Sequence, residues 1–277
     1  METDAGHLAR PSLPAAAVRA NRDLVLVLTR REIAGRYRGS VLGHLWALAN
    51  PLLLLGVYTL VFGVVLPARW PTAPDEGGMT AFALRLLTGL LLHGFLAESL
   101  ARAPTLVVSQ PNYVTKVVFP LEALGWVNML TAAFHAVIGM ALLVLVNAVW
   151  GTGLAVAQLA LPLIVLPLAF AVLGLVWVLA ALGVYVRDLA QGIGPVLTVL
   201  MFLGPVFYPR SAMPAAVQGW LLLNPVTVPV EQARHVLFEH AWPDWGMLGG
   251  YALASIVLFL AGRYVFHLLR NGFADVL

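Results

Sequence analysis

From Gln158 to Val184 the chain runs for 27 residues without one charged side chain. About 20 apolar residues in a helix cross the hydrocarbon core of a bilayer, where no water is present to satisfy an unpaired backbone. This segment alone commits the chain to a membrane, and five more runs repeat the signal. The six are Leu45–Leu66, Phe82–Ala103, Ala123–Trp150, Gln158–Val184, Gly192–Tyr208 and Gly246–Leu268. The fifth is short and interrupted by Pro195 and Pro205, so a kinked or partly re-entrant segment is expected there. Of the 277 residues, 61% are hydrophobic and only 10% charged, against about 25% charged in soluble domains. Such a chain cannot clothe a water-facing surface. The expected fold is an all-α integral membrane protein with six transmembrane helices. A tail with an interfacial helix occupies residues 1–44, the six-span domain residues 45–277, and short re-entrant or gate helices join spans five and six.

Six spans put both termini on one side. The tails and even-numbered loops carry 12 of the 16 basic residues, leaving Arg69, Arg85, Arg210 and Arg234 elsewhere. The positive-inside bias then places both termini in the cytoplasm. Much of this asymmetry lies in "RREIAGRYRGSVLGHLWALANP", residues 30–51, where Arg30, Arg31, Arg36 and Arg38 precede the first span. Orientation is the plain reading of those arginines. A nucleic-acid surface would need a basic face on a folded domain, and this one abuts a membrane span. The apolar run Leu24–Leu28 is far too short to cross and suits a helix lying along the interface. The first 17 residues lack an apolar core, so insertion is expected to rely on the first span.

The loops differ in kind. Residues 104–121 read "PTLVVSQPNYVTKVVFPL", an inner segment with room for a short helix across the membrane face. The other inner connection, Val186–Gly194, is brief. The outer connection Pro209–Trp245 is long and split at Asn224–Pro225 into two short helical segments. Neither can cross, which suggests a lid or gate.

Chemistry is sparse. There is no G-x-x-x-x-G-K-[ST] phosphate loop, so the chain cannot bind ATP through one of its own, and no G-x-S-x-G elbow. The absence of cysteine excludes disulfides and thiolate chemistry. Glu231, His235 and Glu239 fall four apart on one helix face and are metal-ligand types. Ordinary helix ion pairs are the simpler reading, and no metal site is assigned. Glu98 and Arg102 read as a self-neutralising i, i+4 pair before a proton relay. His93 and His135 read as packing or pore-lining residues, packing first. No repeated pattern of buried acids suggests a proton-driven pump, so energy is expected from outside the chain.

The stretch "RREIAGRYRGSVLGHLWALANPLLLLGVYTLVFGVVL" closely resembles the start of the ABC-transporter permeases that export lipid-linked polysaccharides. The matching residues are Arg36-Tyr37-Arg38, Ser40, Leu42-Gly43, Trp46 and Asn50-Pro51. Three further stretches match in order: "NYVTKVVFP" from Asn112, "YVRDL" from Tyr185 and "LNPVTVPVEQAR" from Leu223. The resemblance covers about Val18 to Phe266. It implies a homodimer joined to two separate ATP-binding subunits, which would hold the ATP and Mg and explain the missing phosphate loop; no cofactor is expected in this chain. It implies an inner-membrane exporter of an undecaprenyl-pyrophosphate- or other lipid-linked polymer, O-antigen first, capsule or teichoic acid next. By resemblance Arg31, Arg36, Tyr37 and Arg38 meet the pyrophosphate head group, a task suited to the bidentate guanidinium. Asn112, Tyr113, Lys116, Phe119, Arg187 and Asp188 would couple to the ATPase. Asn224, Pro225, Glu231 and Arg234 would belong to the outer gate.

Trp46, Tyr58 and Phe62 fall near one face of the first span. Sugar-facing channel residues and packing or interfacial aromatics both remain open for them. The outer loop "PARWPTAPDEGG" departs from the family pattern. Two rival classes stand beside export. A drug or small-lipid efflux permease would not need the Arg36–Gly43 cluster, and a membrane transferase would need more acids at the inner face than Asp188 and Glu122.

Overall fold

The computed structural model describes residues 15–61, 78–115 and 119–277. Among them every regular element is helical. In chain order these are α1 (Ala15–Tyr37), α2 (Trp46–Thr59), α3 (Gly78–Arg102), α4 (Pro111–Thr115), α5 (Glu122–Trp150), α6 (Leu161–Tyr185), α7 (Leu189–Leu203), α8 (Ala215–Leu221), α9 (Thr227–Phe238), α10 (Trp245–Arg270) and α11 (Phe273–Val276).

Four stretches are long and apolar enough to cross a membrane: Thr80–Thr105, Glu122–Trp150, Val156–Tyr185 and Trp245–Arg270. They coincide with the second, third, fourth and sixth apolar runs. The chain is therefore a multi-pass membrane protein. The other two runs form shorter helices, as the prolines of the fifth led one to expect. α2 is 14 residues long with Pro51 inside it, and the end of that run, from Phe62 to Leu66, lies outside the described residues. α7 has 15 residues and stops at Gly204, where the backbone turns extended (φ −84°, ψ 161°). By length neither helix spans alone. The interfacial segment, by contrast, is longer than the Leu24–Leu28 run suggested. α1 is one 23-residue helix carrying the arginines through Arg36, and it packs along α5.

α6 is the centre of the bundle, bounded by α10, α5 and α3. Helices in lipid gain little from hydrophobicity when they meet, so close backbone approach decides their pairing. Here glycine supplies it. A Cβ on Gly262 would sit 2.2 Å from the Gly174 carbonyl oxygen, and one on Gly174 2.5 Å from the Leu258 oxygen. Beside this crossing Trp177 is 1% exposed, donates its indole N–H to the Glu122 carbonyl at 3.2 Å, and leans on Phe259, centroids 5.2 Å apart.

The two ends of the bundle are built differently. At one end Glu122 gathers His267 at 2.7 Å, Arg263 at 3.5 Å and Arg270 at 4.0 Å, so α5 and α10 are tied by charge. At the other end Asn147, fully buried, donates to the Gly153 and Leu237 carbonyls at 3.0 and 3.3 Å. Buried amides must find partners in hydrocarbon, and this one fastens α5 to the end of α9. α9 is therefore sunk into the bundle rather than lying on it, with Val230, Ala233, Val236 and Leu237 fully buried.

Candidate functional site

The chain leaves α1 through Gly39 and enters α2 through Gly43, at φ +82° and +49°. These left-handed positions favour glycine, and they fold the arginine end of α1 back against the helices it precedes. Arg36 there pairs with Glu98 of α3. His135 of α5 reaches the same carboxylate, Nδ1 to Oε1 at 2.9 Å, and its Nε2 lies 2.8 Å from the Tyr37 hydroxyl. A carboxylate can only accept, so Nδ1 donates to Glu98, and in the neutral ring Nε2 accepts from Tyr37. Burial, aided by Glu98 and opposed by Arg36, raises the Tyr37 hydroxyl above its ordinary pKa, so it stays protonated and donates its hydrogen bond to His135. Four side chains thus fasten α1, α3 and α5 to one another.

Two sequence-based readings are corrected here. Glu98 and Arg102 do not neutralise each other: Glu98 takes Arg36 and His135, while Arg102 reaches across to Glu32 of α1 at 2.6 Å. His135 is not a packing residue but a polar junction in the wall of a cavity, the second of its two readings. His93 is buried as expected, at 5% exposed.

Around this junction lies a cavity of about 600 Å3, walled by Arg36, Tyr37, Ser40, Trp46, Asn50, Glu98 and His135 among others. A second cavity of about 730 Å3 opens on the other side of Tyr37, walled by Arg31, Glu32, Arg38, Gln110 and Tyr113. The four residues assigned to the head group therefore divide. Arg36 and Tyr37 face the first cavity together with Trp46; Arg31 and Arg38 face the second together with the α4 segment. Among the described residues Arg36 is held by Glu98, whereas Arg31 and Arg38 are exposed and take no carboxylate.

On α4, Tyr113 stacks on Phe119, centroids 4.4 Å apart and planes 13° from parallel, while Asn112 is exposed. Lys116 lies outside the described residues, as do Phe62 and the side chain of Tyr58. Arg187 and Asp188 are exposed at the turn from α6 to α7 and line neither cavity.

The residues assigned to the gate stand apart from both cavities. Asn224 closes the turn between α8 and α9, donating to Leu200 at 2.7 Å and accepting from the Val226 N–H at 3.2 Å. Tyr251 of α10 donates to the Pro225 carbonyl at 2.7 Å. Glu231 pairs with Arg210 at 3.3 Å. Arg234 is 6% exposed and donates to the carbonyls of Arg85, Pro205 and Val206, which bind α9 to α3 and to the turn after α7. His235 and Glu239 pair with each other at 2.6 Å. With Glu231 drawn to Arg210, the three candidate ligands do not converge, and no cluster of three metal-binding side chains occurs among the described residues.

Sequence reading named Glu98, His135, Ser40 and Asn50 but placed none of them in the site that they line. The usable signal was present for two of them: an acid and a histidine inside apolar spans are expensive enough to need a partner.

Residues 23–238 match the ABC-2 type transporter family. An O-antigen export system permease protein, RfbA, from Myxococcus xanthus is 30% identical over 256 residues, 92% of this chain and 95% of that protein. A protein of the same name from Klebsiella pneumoniae is 23% identical with the same coverage of both chains.

Proposed function

This chain belongs to the ABC-2 type transporter family, and we propose that it is the membrane subunit of an exporter that moves a lipid-linked polysaccharide out of the cytoplasm. O-antigen is the first candidate polymer, in keeping with the names of its relatives. The observation that carries the reading is the pair of cavities meeting at Tyr37. One offers arginine, hydroxyl, amide and indole groups, and the other two arginines beside the α4 segment. Guanidinium groups suit a pyrophosphate, and aromatic faces hold sugars without fixed charge. A small-molecule efflux permease would not need the Arg36–Gly43 cluster.

In this reading the chain works as a homodimer with two ATP-binding subunits that carry ATP and Mg. It has six spans, with α2 and its continuation as the first and α7 with the following turn as the fifth. Both termini lie in the cytoplasm of a bacterial inner membrane. Residues 104–121, with Arg187 and Asp188, receive the ATPase stroke, and residues 209–245 form the outer gate. Arg31 and Arg38 receive the head group first; Arg36 follows by exchanging Glu98 for a phosphate oxygen.

Lysine keeps the charge of these residues but loses the planar fork. Arg31→Lys and Arg38→Lys are therefore each expected to leave insertion intact and to weaken head-group binding. A lost charge-assisted contact is worth about 1.5–3 kcal/mol, or roughly tenfold or more in affinity. Surface polysaccharide is the measurement, with protein level as control. Normal export in both variants would reduce the arginines to an orientation signal. The span count has its own check, since the chain has no cysteine of its own. Single cysteines at Gln110 and Asp188 should resist an impermeant thiol reagent in intact cells, and one at Asp244 should react. Reaction at position 110 would overturn the six-span arrangement.

A further inference from the structure

We propose that Glu98 is a stand-in for the transported head group: it holds Arg36 until a pyrophosphate takes the arginine from it, and that exchange releases the end of α1 and starts ATP hydrolysis by the partner subunit. This rests on the export reading above and adds to it how the site is controlled. Glu98 acts through Arg36 and is a positioning residue; the arginine is the group that meets the phosphates.

Three features separate this ion pair from an ordinary fastening between helices. It stands in the wall of the first cavity, with the Arg36 and Glu98 side chains 28% and 25% exposed. A pair so open to water is weak. A pyrophosphate brings more than one negative charge and accepts both arms of the guanidinium fork, so it wins the competition. The carboxylate also has a second partner. Nδ1 of His135 lies 2.9 and 3.1 Å from its two oxygens, so Glu98 keeps a donor when Arg36 leaves, and the exchange can reverse when the lipid has gone. Among the described residues, finally, Arg36 is the only one of the three cavity arginines that is paired with a carboxylate. Arg31 and Arg38 are ready for an anion at any time, and one carboxylate decides when the third is.

The end of α1 has room to respond. Arg36 sits in its last turn. A Cβ at Gly35, Gly39 or Gly43 would meet nothing within 4 Å, and Val41, between the two left-handed glycines, is fully exposed. One turn before Arg36, Glu32 is held by Arg102 of α3 at 2.6 Å, so losing the Arg36 tie loosens the end of the helix and not its body. That end carries Tyr37, which walls the second cavity together with Gln110 and Tyr113 of the segment assigned to ATPase coupling. The head-group site and the coupling segment thus share a wall, and the Arg36–Glu98 pair sets its position.

The test uses the chain with its ATP-binding subunit in nanodiscs of phosphatidylethanolamine, whose head group carries no net charge, and radiolabelled undecaprenyl pyrophosphate as probe. ATP hydrolysis is measured against probe concentration. Glu98→Gln keeps the shape of the side chain and an acceptor for His135 but gives up the charge that holds Arg36. It is expected to lower the half-stimulating concentration about fivefold, the upper end of what a part-exposed ion pair contributes, and to raise hydrolysis without probe by a similar factor. A pair that only fastened helices would give the opposite sign, a weaker response to the probe. Arg102→Gln cuts the other tie between α1 and α3 and should not lower that concentration. Spin labels on cysteines at Val41 and at Ala101, which is exposed on α3, should change their separation when probe is added with Glu98 intact; this measurement decides even where Glu98→Gln fails to fold. An unchanged or higher half-stimulating concentration in Glu98→Gln, an equal fall in Arg102→Gln, or an unmoved label pair overturns the proposal. Probe that binds the wild-type complex without hastening hydrolysis sinks the control by Glu98 alone. A wild-type complex that does not bind the probe at all sinks the export reading with it.

Discussion

Arg234→Met is expected to abolish export and to destabilise the end of the bundle around α9 more than any other single change there. The guanidinium is buried and donates through Nε to the Arg85 carbonyl at 3.0 Å, through Nη2 to Val206 at 2.7 Å, and through Nη1 to Pro205. Gly89 of α3 makes the room: a Cβ there would lie 2.9 Å from the Val206 Cα and 3.0 Å from the Arg234 Nη2. Hydrogen bonds to a charged donor contribute about 1.5–3 kcal/mol each, and a buried carbonyl left without a donor costs about 1–3 kcal/mol. The combined loss is at least about 4 kcal/mol on those figures. Methionine fills the space and replaces none of the bonds. Lysine, a point donor on a flexible stem, lacks the fixed fork that reaches the three carbonyls, so Arg234→Lys should be intermediate. Thermal melting in detergent, read beside surface polysaccharide, checks the order wild type, Lys, Met. A methionine variant that melts like wild type would remove Arg234 as the clasp between α9, α3 and the turn after α7.

The second large effect is expected at the α6–α10 crossing. Gly262→Leu should prevent accumulation of folded protein in the membrane, because the added Cβ alone would meet the Gly174 carbonyl at 2.2 Å. The neighbour is backbone and cannot rotate away, so the helices must separate. Overpacking of a well-packed core costs about 1–3 kcal/mol and more where nothing yields. Separation would also loosen Phe259 from Trp177 and the basic end of α10 from Glu122. Gly250→Leu is the control on the same helix, since nothing lies within 4 Å of a Cβ there. Membrane-fraction yield and monodispersity of the two variants give the comparison. Equal yields would mean that α6 and α10 pair by something other than close glycine contact.

Sequence alone determined that this chain lives in a membrane, because length and apolarity are sums along the chain and need no partner. Four of its six apolar runs stand as long helices, and the Pro-broken fifth run was marked as irregular by its own residues. The Asn224–Pro225 turn was legible for the same local reason, and the ordered motifs from Arg36 to Arg234 pointed to the family that the whole-chain match then established. Tertiary structure decided who pairs with whom. Glu98 and Arg102 sit four apart, and that spacing is all a sequence can display. Yet α1 folds back through Gly39 and Gly43 and brings Arg36 to one of them and Glu32 to the other. His135 became a junction only because α5 presents it between Tyr37 and Glu98. Arg234 was visible as a charge, but its partners are backbone carbonyls of Arg85, Pro205 and Val206, and a carbonyl is the same at every position in a chain. Helical hydrogen bonds close within a few residues and are therefore written locally. The ion pairs, the Arg234 hydrogen bonds, the glycine crossing and the cavities join residues as many as 149 positions apart, where only the packed bundle sets the distance.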